Sequence, residues 1–412
     1  MADSLIAVER SPWELLSRAA PSTSQPWFLW EAPGAEAIAA LGAAARVSAS
    51  GPGRFREVRA GLARAFREIR RDRPSEERPL ALGGFSFVPH EAGAAPEGLP
   101  DAFFFIPERL WVRRPGEPTL ESRWIPHGDS SPPLHGETPR PHGSVNEDRA
   151  SWTRAVSETL RRIRSGTFSK AVLARSIEID LAHADLLRIA ASLRASYPAC
   201  YRFLLCDGRG HVFLGASPER LVRLSRREIL TEAVAGTIRC EPQDEEGTRA
   251  ELLERSAKDR AEQRIVLDHV TATLAPLAST VEAPDEPEVM RLRHLLHLRT
   301  RVRAVAAERT AILDLVERLH PTPAVAGWPP RESLAWIRSI EPRDRGWYAG
   351  PIGWLDAEGD GDFAVGIRSA CVEHGRARIF AGAGIVEGSD PDLEWTETEL
   401  KMKGMLDALA GR

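Results

Sequence analysis

The sequence has little lysine, and it contains no long apolar run. Only four of its 412 residues are lysine, whereas lysine and arginine together number 55, and the formal net charge is −4. General nucleic-acid binders carry a strongly basic surface, so this balance of charge argues against that class. No apolar run approaches the ~20 residues that a membrane-spanning helix needs. The sequence therefore predicts neither a nucleic-acid partner nor a membrane segment.

Cysteine is also scarce, and its spacing excludes two kinds of structural site. The four cysteines, Cys200, Cys206, Cys240 and Cys371, form no CxxC pair. They are expected to be free thiols, since zinc sites and disulfide frameworks use closer or more numerous cysteines. The first residues contain early acids and no apolar stretch typical of a secretory signal. Together these features predict a cytoplasmic protein.

What is present is typical of a folded enzyme-sized chain. Apolar residues make up 42% and charged residues 28%, enough to build a sizeable core. A segment rich in Pro, Gly, Ser and His at 126–146 predicts a linker. It divides the chain into an N-terminal portion of the fold, 1–147, and a catalytic portion, 148–412.

The pattern of apolar residues predicts an α+β fold rather than alternating βαβ units. Residues 169–180 alternate as a strand, and 246–277 have the pattern of one long helix. Further strands are predicted at 347–355, 363–372 and 377–386, followed by a helix from about 391. Runs of strands with occasional helices favour large antiparallel sheets that pack together and are flanked by helices.

Lys170 is the first candidate for chemistry. Where arginine is used so heavily, a lysine that persists suggests a position that arginine cannot fill. Arginine is effectively always protonated, whereas a buried lysine can lose its proton and act as a base. Lys170 shares one face of its predicted strand with Val172 and Ala174. The alternative is an ordinary lysine at the sheet edge, with its ammonium in water.

Four carboxylates on two predicted helices form the second candidate. Asp259 and Glu262 are three residues apart, as are Glu394 and Glu397, and Lys401 follows four residues later. Such spacings place side chains on one helix face. Oxygen ligands of this kind suit Mg²⁺, although solvated faces with local ion pairs would show the same spacing.

Two further charged residues stand in unusual local sequences. Glu219 follows the Ser-Pro turn of GASPER, where a carboxyl facing a pocket would be a general acid and one facing solvent an ordinary turn residue. Arg368 is predicted on a strand face with Ala364, Gly366 and Ala370. Small neighbours leave room for a bound carboxylate, although an inter-strand ion pair would also suit that position.

The order of several motifs resembles the chorismate-binding enzyme family, and within it the isochorismate synthases. The specific similarity covers roughly 148–408. The motifs that carry it are KAVLARSIEI, FLGASPERLVRL, AVAGTIR, SAKDRAEQRIVLD, HLRTRV, HPTPAVAG, YAGPIGWLDAEGDGDFAVGIRSA and IFAGAGIVEGSDPDLEWTETELK.

The resemblance implies a role for each matching residue. Lys170 matches the lysine that activates water for attack at C2 of chorismate, and Glu219 matches the acid that protonates the departing C4 hydroxyl. Glu262 and Glu397 match ligands of a Mg²⁺ ion that engages the ring carboxylate. Asp259 and Glu394 match adjoining acids that hold metal-bound water. The matching substrate-contacting positions are Gly236, Thr237, His297, Tyr348, Arg368, Gly382 and Lys401.

Two positions depart from the family pattern. Gln263 stands where a histidine is common after the metal-binding glutamate, and Ala326 stands where glycine or cysteine is usual. A changed neighbour can alter how Glu262 is oriented. Neither position carries a catalytic role, so an active enzyme is expected.

The resemblance leaves alternatives open. Salicylate synthase makes isochorismate and then eliminates pyruvate with the same residues. A non-catalytic chorismate-binding protein is a different class, against which the intact Lys170 and Glu219 argue. Anthranilate synthase lacks this lysine and uses ammonia. A monomer without a glutaminase subunit, acting on chorismate for menaquinone or siderophore synthesis, is therefore predicted.

Overall fold

Two large antiparallel sheets form the centre of the molecule in the computed structural model. The structure describes residues 7–71, 78–90, 98–125, 148–181, 185–240 and 247–411. The predicted linker at 126–146 lies outside these residues. Every strand pairing within them is antiparallel, which confirms the predicted α+β class.

The helices and strands follow one another along the chain in a mixed order. The helices are α1 (Pro12–Arg18), α2 (Arg54–Glu68), α3 (Arg149–Arg164), α4 (Leu186–Ser196), α5 (Thr248–Arg255), α6 (Ala257–Leu274), α7 (Ile312–Leu319), α8 (Pro330–Ile340) and α9 (Pro391–Leu409). The strands up to residue 125 are β1 (Ala7–Val8), β2 (Pro26–Glu31), β3 (Ala37–Leu41), β4 (Ala45–Ala49), β5 (Arg70–Arg71), β6 (Leu80–Phe85), β7 (Ala102–Ile106), β8 (Arg109–Arg113) and β9 (Thr119–Ile125). The later strands are β10 (Lys170–Asp180), β11 (Tyr201–Asp207), β12 (Val212–Ser217), β13 (Arg220–Ser225), β14 (Glu228–Arg239), β15 (Ala278–Glu282), β16 (Glu288–Arg291), β17 (Leu295–Ala306), β18 (Gly327–Trp328), β19 (Pro351–Asp356), β20 (Gly361–Val365), β21 (Ser369–Glu373) and β22 (Arg376–Ile385).

Both sheets combine strands from either side of the predicted linker. The first sheet has the order β1-β9-β8-β3-β2-β11-β12-β21-β22-β10-β18, with β5 beside β9. The second has the order β15-β17-β14-β13-β20-β19-β6-β7-β4, with β16 beside β17. Strands from before and after the predicted linker therefore form the same two sheets.

The two sheets face each other across an apolar layer, and helices cover their outer faces. Phe28 and Trp30 of the first sheet share a buried cluster with Phe105 and Ile352 of the second. The outer face of the first sheet packs against α1, α4 and α9, and that of the second against α2, α6 and α7. Burial of this apolar surface is the main stabilising contribution to such a layered fold.

The predicted single helix over 246–277 is wrong, because it is two helices. Ser256 between α5 and α6 has an extended backbone with ψ of 109°. Its hydroxyl accepts a hydrogen bond from the N–H of Asp259 and so caps α6. The break starts α6 immediately before Asp259 and Glu262, so both residues lie within its first two turns.

The predicted continuous strand over 363–372 is also wrong. It divides into β20 of the second sheet and β21 of the first, and the chain crosses between the sheets at residues 366–368. Arg368 lies in this crossing with φ of 51°, so it does not share a strand face with Ala364 and Ala370. In the described part of the chain, no helix is both long and apolar enough to cross a membrane.

Candidate active site

One cavity between the two sheets brings together most of the residues that the sequence predicts for the site. Lys170, Asp259 and Glu394 lie beside the cavity rather than on its lining. The predicted residues that line it are Glu219, Gly236, Thr237, Glu262, His297, Tyr348, Arg368, Gly382, Glu397 and Lys401.

Lys170 is the first residue of β10 and is entirely buried. Its Nζ lies 2.9 Å from Oε1 of Glu262 on α6, so the two form a buried ion pair. Burial alone would raise the pKa of Glu262, but the positive charge of Lys170 lowers it overall. The structure thus excludes the alternative of a solvated lysine at the sheet edge.

Gly384 makes this ion pair possible, and the sequence analysis does not identify it. It lies opposite Val172 in the pairing of β22 with β10. A Cβ at Gly384 would come within 2.3 Å of Oε1 of Glu262. The available signal is its position two residues after Gly382, which places both glycines on one strand face.

Glu219 lies in the turn between β12 and β13, where hydrogen bonds fix both its backbone N–H and its carbonyl. Its N–H donates to the hydroxyl of Ser217, and its carbonyl accepts from the N–H of Val365. The residue is 4% exposed. Burial, followed by the negative charge of Glu232, raises the pKa of Glu219 to about 8. This carboxyl is therefore largely protonated at pH 7 and can donate a proton.

A bulge in β14 shapes the side of the cavity nearest α6. Gly236 is the extra residue, with φ of 75°, so that Thr237 pairs with His297 of β17. A Cβ on Gly236 would lie 2.8 Å from Cβ of Asp259. Oδ1 of Asp259 accepts a hydrogen bond of 3.2 Å from the N–H of Thr237. Asp259 therefore fixes the bulge from outside the cavity.

His297 is a neutral side chain with a defined tautomer. Burial, followed by the positive charge of Arg368, lowers the pKa of His297 well below its usual value. Its Nε2 lies 3.3 Å from Nη2 of Arg368, which can only donate. Nδ1 therefore carries the proton, 3.0 Å from Oγ1 of Thr237. The imidazole links the bulge to the crossing segment that bears Arg368.

Two positive side chains face the cavity from different elements. Among the described residues, no carboxylate lies within ion-pair distance of Arg368, and burial lowers the pKa of its guanidinium. Lys401 of α9 donates to the carbonyl of Gly382 at 2.8 Å and to Oε1 of Glu397 at 2.5 Å. An anionic molecule in the cavity would therefore meet Arg368 and Lys401.

The predicted metal ligands are arranged as two separate carboxylate positions. Glu262 and Glu397 reach the cavity lining, each beside a lysine. Glu394 is buried and bonds to Lys258 at 3.1 Å; burial and the neighbouring Glu397 raise the pKa of Glu394. Within the described ranges, no three His, Cys, Asp or Glu side chains form a ready-made metal site. The oxygen-only donors nevertheless suit a hard cation such as Mg²⁺.

The two departures from the family pattern, Gln263 and Ala326, do not lie on the lining of the cavity. Gln263 is buried and donates from Nε2 to Oγ1 of Thr300 at 2.7 Å. The carbonyl of Ala326, also buried, accepts a hydrogen bond from the N–H of Val172. Both residues support neighbouring elements.

A helix-covered sandwich of two antiparallel sheets, with a carboxylic acid and two cationic side chains on the lining of one cavity and a buried lysine beside it, defines an enzyme for a small anionic molecule. The comparisons with known proteins give the family. The chain belongs to the chorismate binding enzyme family, whose family model matches residues 4–410.

Individual relatives agree with this family. A salicylate biosynthesis isochorismate synthase of Pseudomonas aeruginosa is 43% identical over 64% of this chain, a match that spans 56% of that protein's own length. An isochorismate synthase of Bacillus subtilis is 33% identical over 81% of this chain and 75% of its own. The structure of the menaquinone-specific isochorismate synthase of Escherichia coli superposes with a TM-score of 0.79 and 26% identity, covering 99% of this chain and 96% of the other.

Proposed function

We propose that this protein is an isochorismate synthase, which converts chorismate to isochorismate. The observation that supports this most directly is that one cavity is lined by Glu219, a buried acid with a raised pKa, and has the buried Lys170 beside it. The reaction adds water at C2 and removes the hydroxyl at C4. It therefore needs one group that accepts a proton and another that donates one.

In the proposed reaction, the two residues have opposite roles. After its ammonium has lost a proton, the neutral amine of Lys170 takes a proton from the attacking water, whose oxygen forms the new bond to C2. Glu219 gives its proton to the C4 oxygen, which leaves as water while the ring double bonds shift. Arg368 and Lys401, which both line the cavity, orient the carboxylates of the substrate.

We further propose that Glu262 and Glu397 hold Mg²⁺. Both are carboxylates on the cavity, and Asp259 and Glu394 stand one turn earlier on the same two helices. When bound, Mg²⁺ would supply positive charge for the ring carboxylate of chorismate and share the Glu262 carboxylate with Lys170. Because water is the nucleophile, the proposal includes no ammonia and no glutaminase subunit.

The decisive experiment is chromatography of the products that the purified protein makes from chorismate, with Mg²⁺ or with EDTA. A Mg²⁺-dependent isochorismate peak that is lost in Lys170→Ala is the expected result. Salicylate with pyruvate would assign the protein to the lyase branch instead. Chorismate binding without turnover would contradict the enzymatic proposal and leave a chorismate-binding protein.

A further inference from the structure

The strand that carries Lys170 loses its partner on one side after Ala171, the residue that follows Lys170. On one side, β10 pairs with β22 from Ala171 to Asp180. On the other side, β18 pairs only with Lys170 and Ala171. Buried backbone groups beyond that point need other partners, because an unpaired polar group in the interior is strongly destabilising.

A buried ion pair from a distant segment occupies this open edge. Arg345 and Glu341 have side chains only 2% and 7% exposed. Nη2 of Arg345 donates to the carbonyl of Val172 at 2.6 Å, and Oε1 of Glu341 accepts from the N–H of Ala174 at 2.8 Å. Together the two side chains take the place of the missing strand next to Lys170.

The same guanidinium also reaches two other walls of the cavity. Nη1 of Arg345 donates to the carbonyl of Val325, in the segment that leads to β18. Cζ of Arg345 lies 4.4 Å from the ring centre of Phe87 and 6.0 Å from that of Tyr348. Its backbone carbonyl accepts the N–H of Tyr348. Arg345 thus contacts β10, the loop before β18 and the turn that contains Tyr348. It also lines the cavity itself.

We propose that the Arg345–Glu341 pair is a positioning device that holds Lys170 and Tyr348 in working geometry. Four hydrogen bonds use the guanidinium: two to Glu341, one to Val172 and one to Val325. A lysine ammonium is a single point of charge and cannot span these acceptors together. This inference rests on the proposed function for its kinetic consequence, but its structural part stands apart from it.

The test compares Arg345→Lys with a matched control, Arg378→Lys. Arg378 also pairs with a buried glutamate, Glu178, at the far end of the same two strands. We expect kcat for isochorismate formation to fall about 10²-fold in Arg345→Lys, because misplacement by about 1 Å has this effect, and the KM for chorismate to change by a smaller factor. Arg378→Lys should keep the wild-type kcat.

Hydrogen–deuterium exchange supplies a readout that does not depend on turnover. In Arg345→Lys, uptake should rise at the amides of 171–175 and stay unchanged in the rest of the two sheets. Glu341→Gln keeps an oxygen for Ala174, so it should lose less activity and less protection than Glu341→Ala.

Three outcomes distinguish the positioning role of Arg345 from an effect on global stability and from a failure of the proposed function. A wild-type kcat in Arg345→Lys would overturn the positioning role. Uptake that rises equally throughout both sheets would also overturn it, since the pair would then act on global stability alone. If the wild-type protein does not turn over chorismate, the proposed function fails, while the local change in uptake still decides the positioning of the strand.

Discussion

Adding a single methyl group at Gly384 should inactivate the enzyme without unfolding it. A Cβ built on Gly384 lies 2.3 Å from Oε1 of Glu262 and 3.2 Å from Cε of Lys170. The optimal separation of non-bonded heavy atoms is about 3.5 Å, so the carboxylate oxygen has to move by about 1 Å. The clash is with the end of a flexible side chain, and alanine suits a strand at least as well as glycine does. The fold should therefore survive while the ion pair is displaced.

The expected loss follows from that displacement. A misplacement of about 1 Å in catalytic geometry costs about 10²-fold in rate. We expect kcat of Gly384→Ala to fall by that factor in a Mg²⁺-saturated isochorismate assay, with a thermal unfolding midpoint close to that of the wild type. The control is Gly53→Ala, where the added Cβ would meet only the mobile ends of Glu57 and Arg56. A Gly384→Ala enzyme with the wild-type kcat would refute the geometric argument.

Three other predictions test the acid, the base and a buried contact. Because the pKa of Glu219 is about 8 and the acid form is needed, the pH profile of kcat should fall as pH rises through that value. Glu232→Gln removes a charge that raises this pKa, so the fall should move to lower pH. Lys170→Arg keeps the positive charge, but a guanidinium does not lose its proton and so cannot act as the base. Product chromatography should show that isochorismate formation falls by at least about 10²-fold. Thr300→Val leaves the buried Nε2 of Gln263 without a partner, which should lower the free energy of unfolding in urea by about 1–3 kcal/mol.

Local sequence patterns predicted the secondary structure correctly where a segment's structure depends on residues within that segment. The alternation of residues after Ser169 predicts β10, which the structure shows as Lys170–Asp180. The helix from about 391 is confirmed as α9, with Asp390 as its cap. Both successes rest on periodicity, which depends on residues that are close in the chain.

One error arose where distant segments override local preference. The pattern over 363–372 favours one strand, but the backbone turns at Arg368 to join two different sheets. The other error was local, because the helix over 246–277 is interrupted at Ser256, whose side chain caps the second half, and the periodicity of apolar residues does not reveal such a cap. Neither Gly384 nor Arg345 has a motif of its own, because each acts through a partner far away in the sequence.

The residue types for proton transfer and charge recognition, and the antiparallel α+β class, can be predicted from the sequence by itself. The similarity of its motifs to chorismate-binding enzymes also names the residues to test. Only the tertiary structure decides that Lys170 contacts Glu262 and that Glu219 is held protonated. The reason is physical, since burial and charge proximity depend on every segment that packs around a group, and local spacing carries no information about segments that meet only in the folded chain.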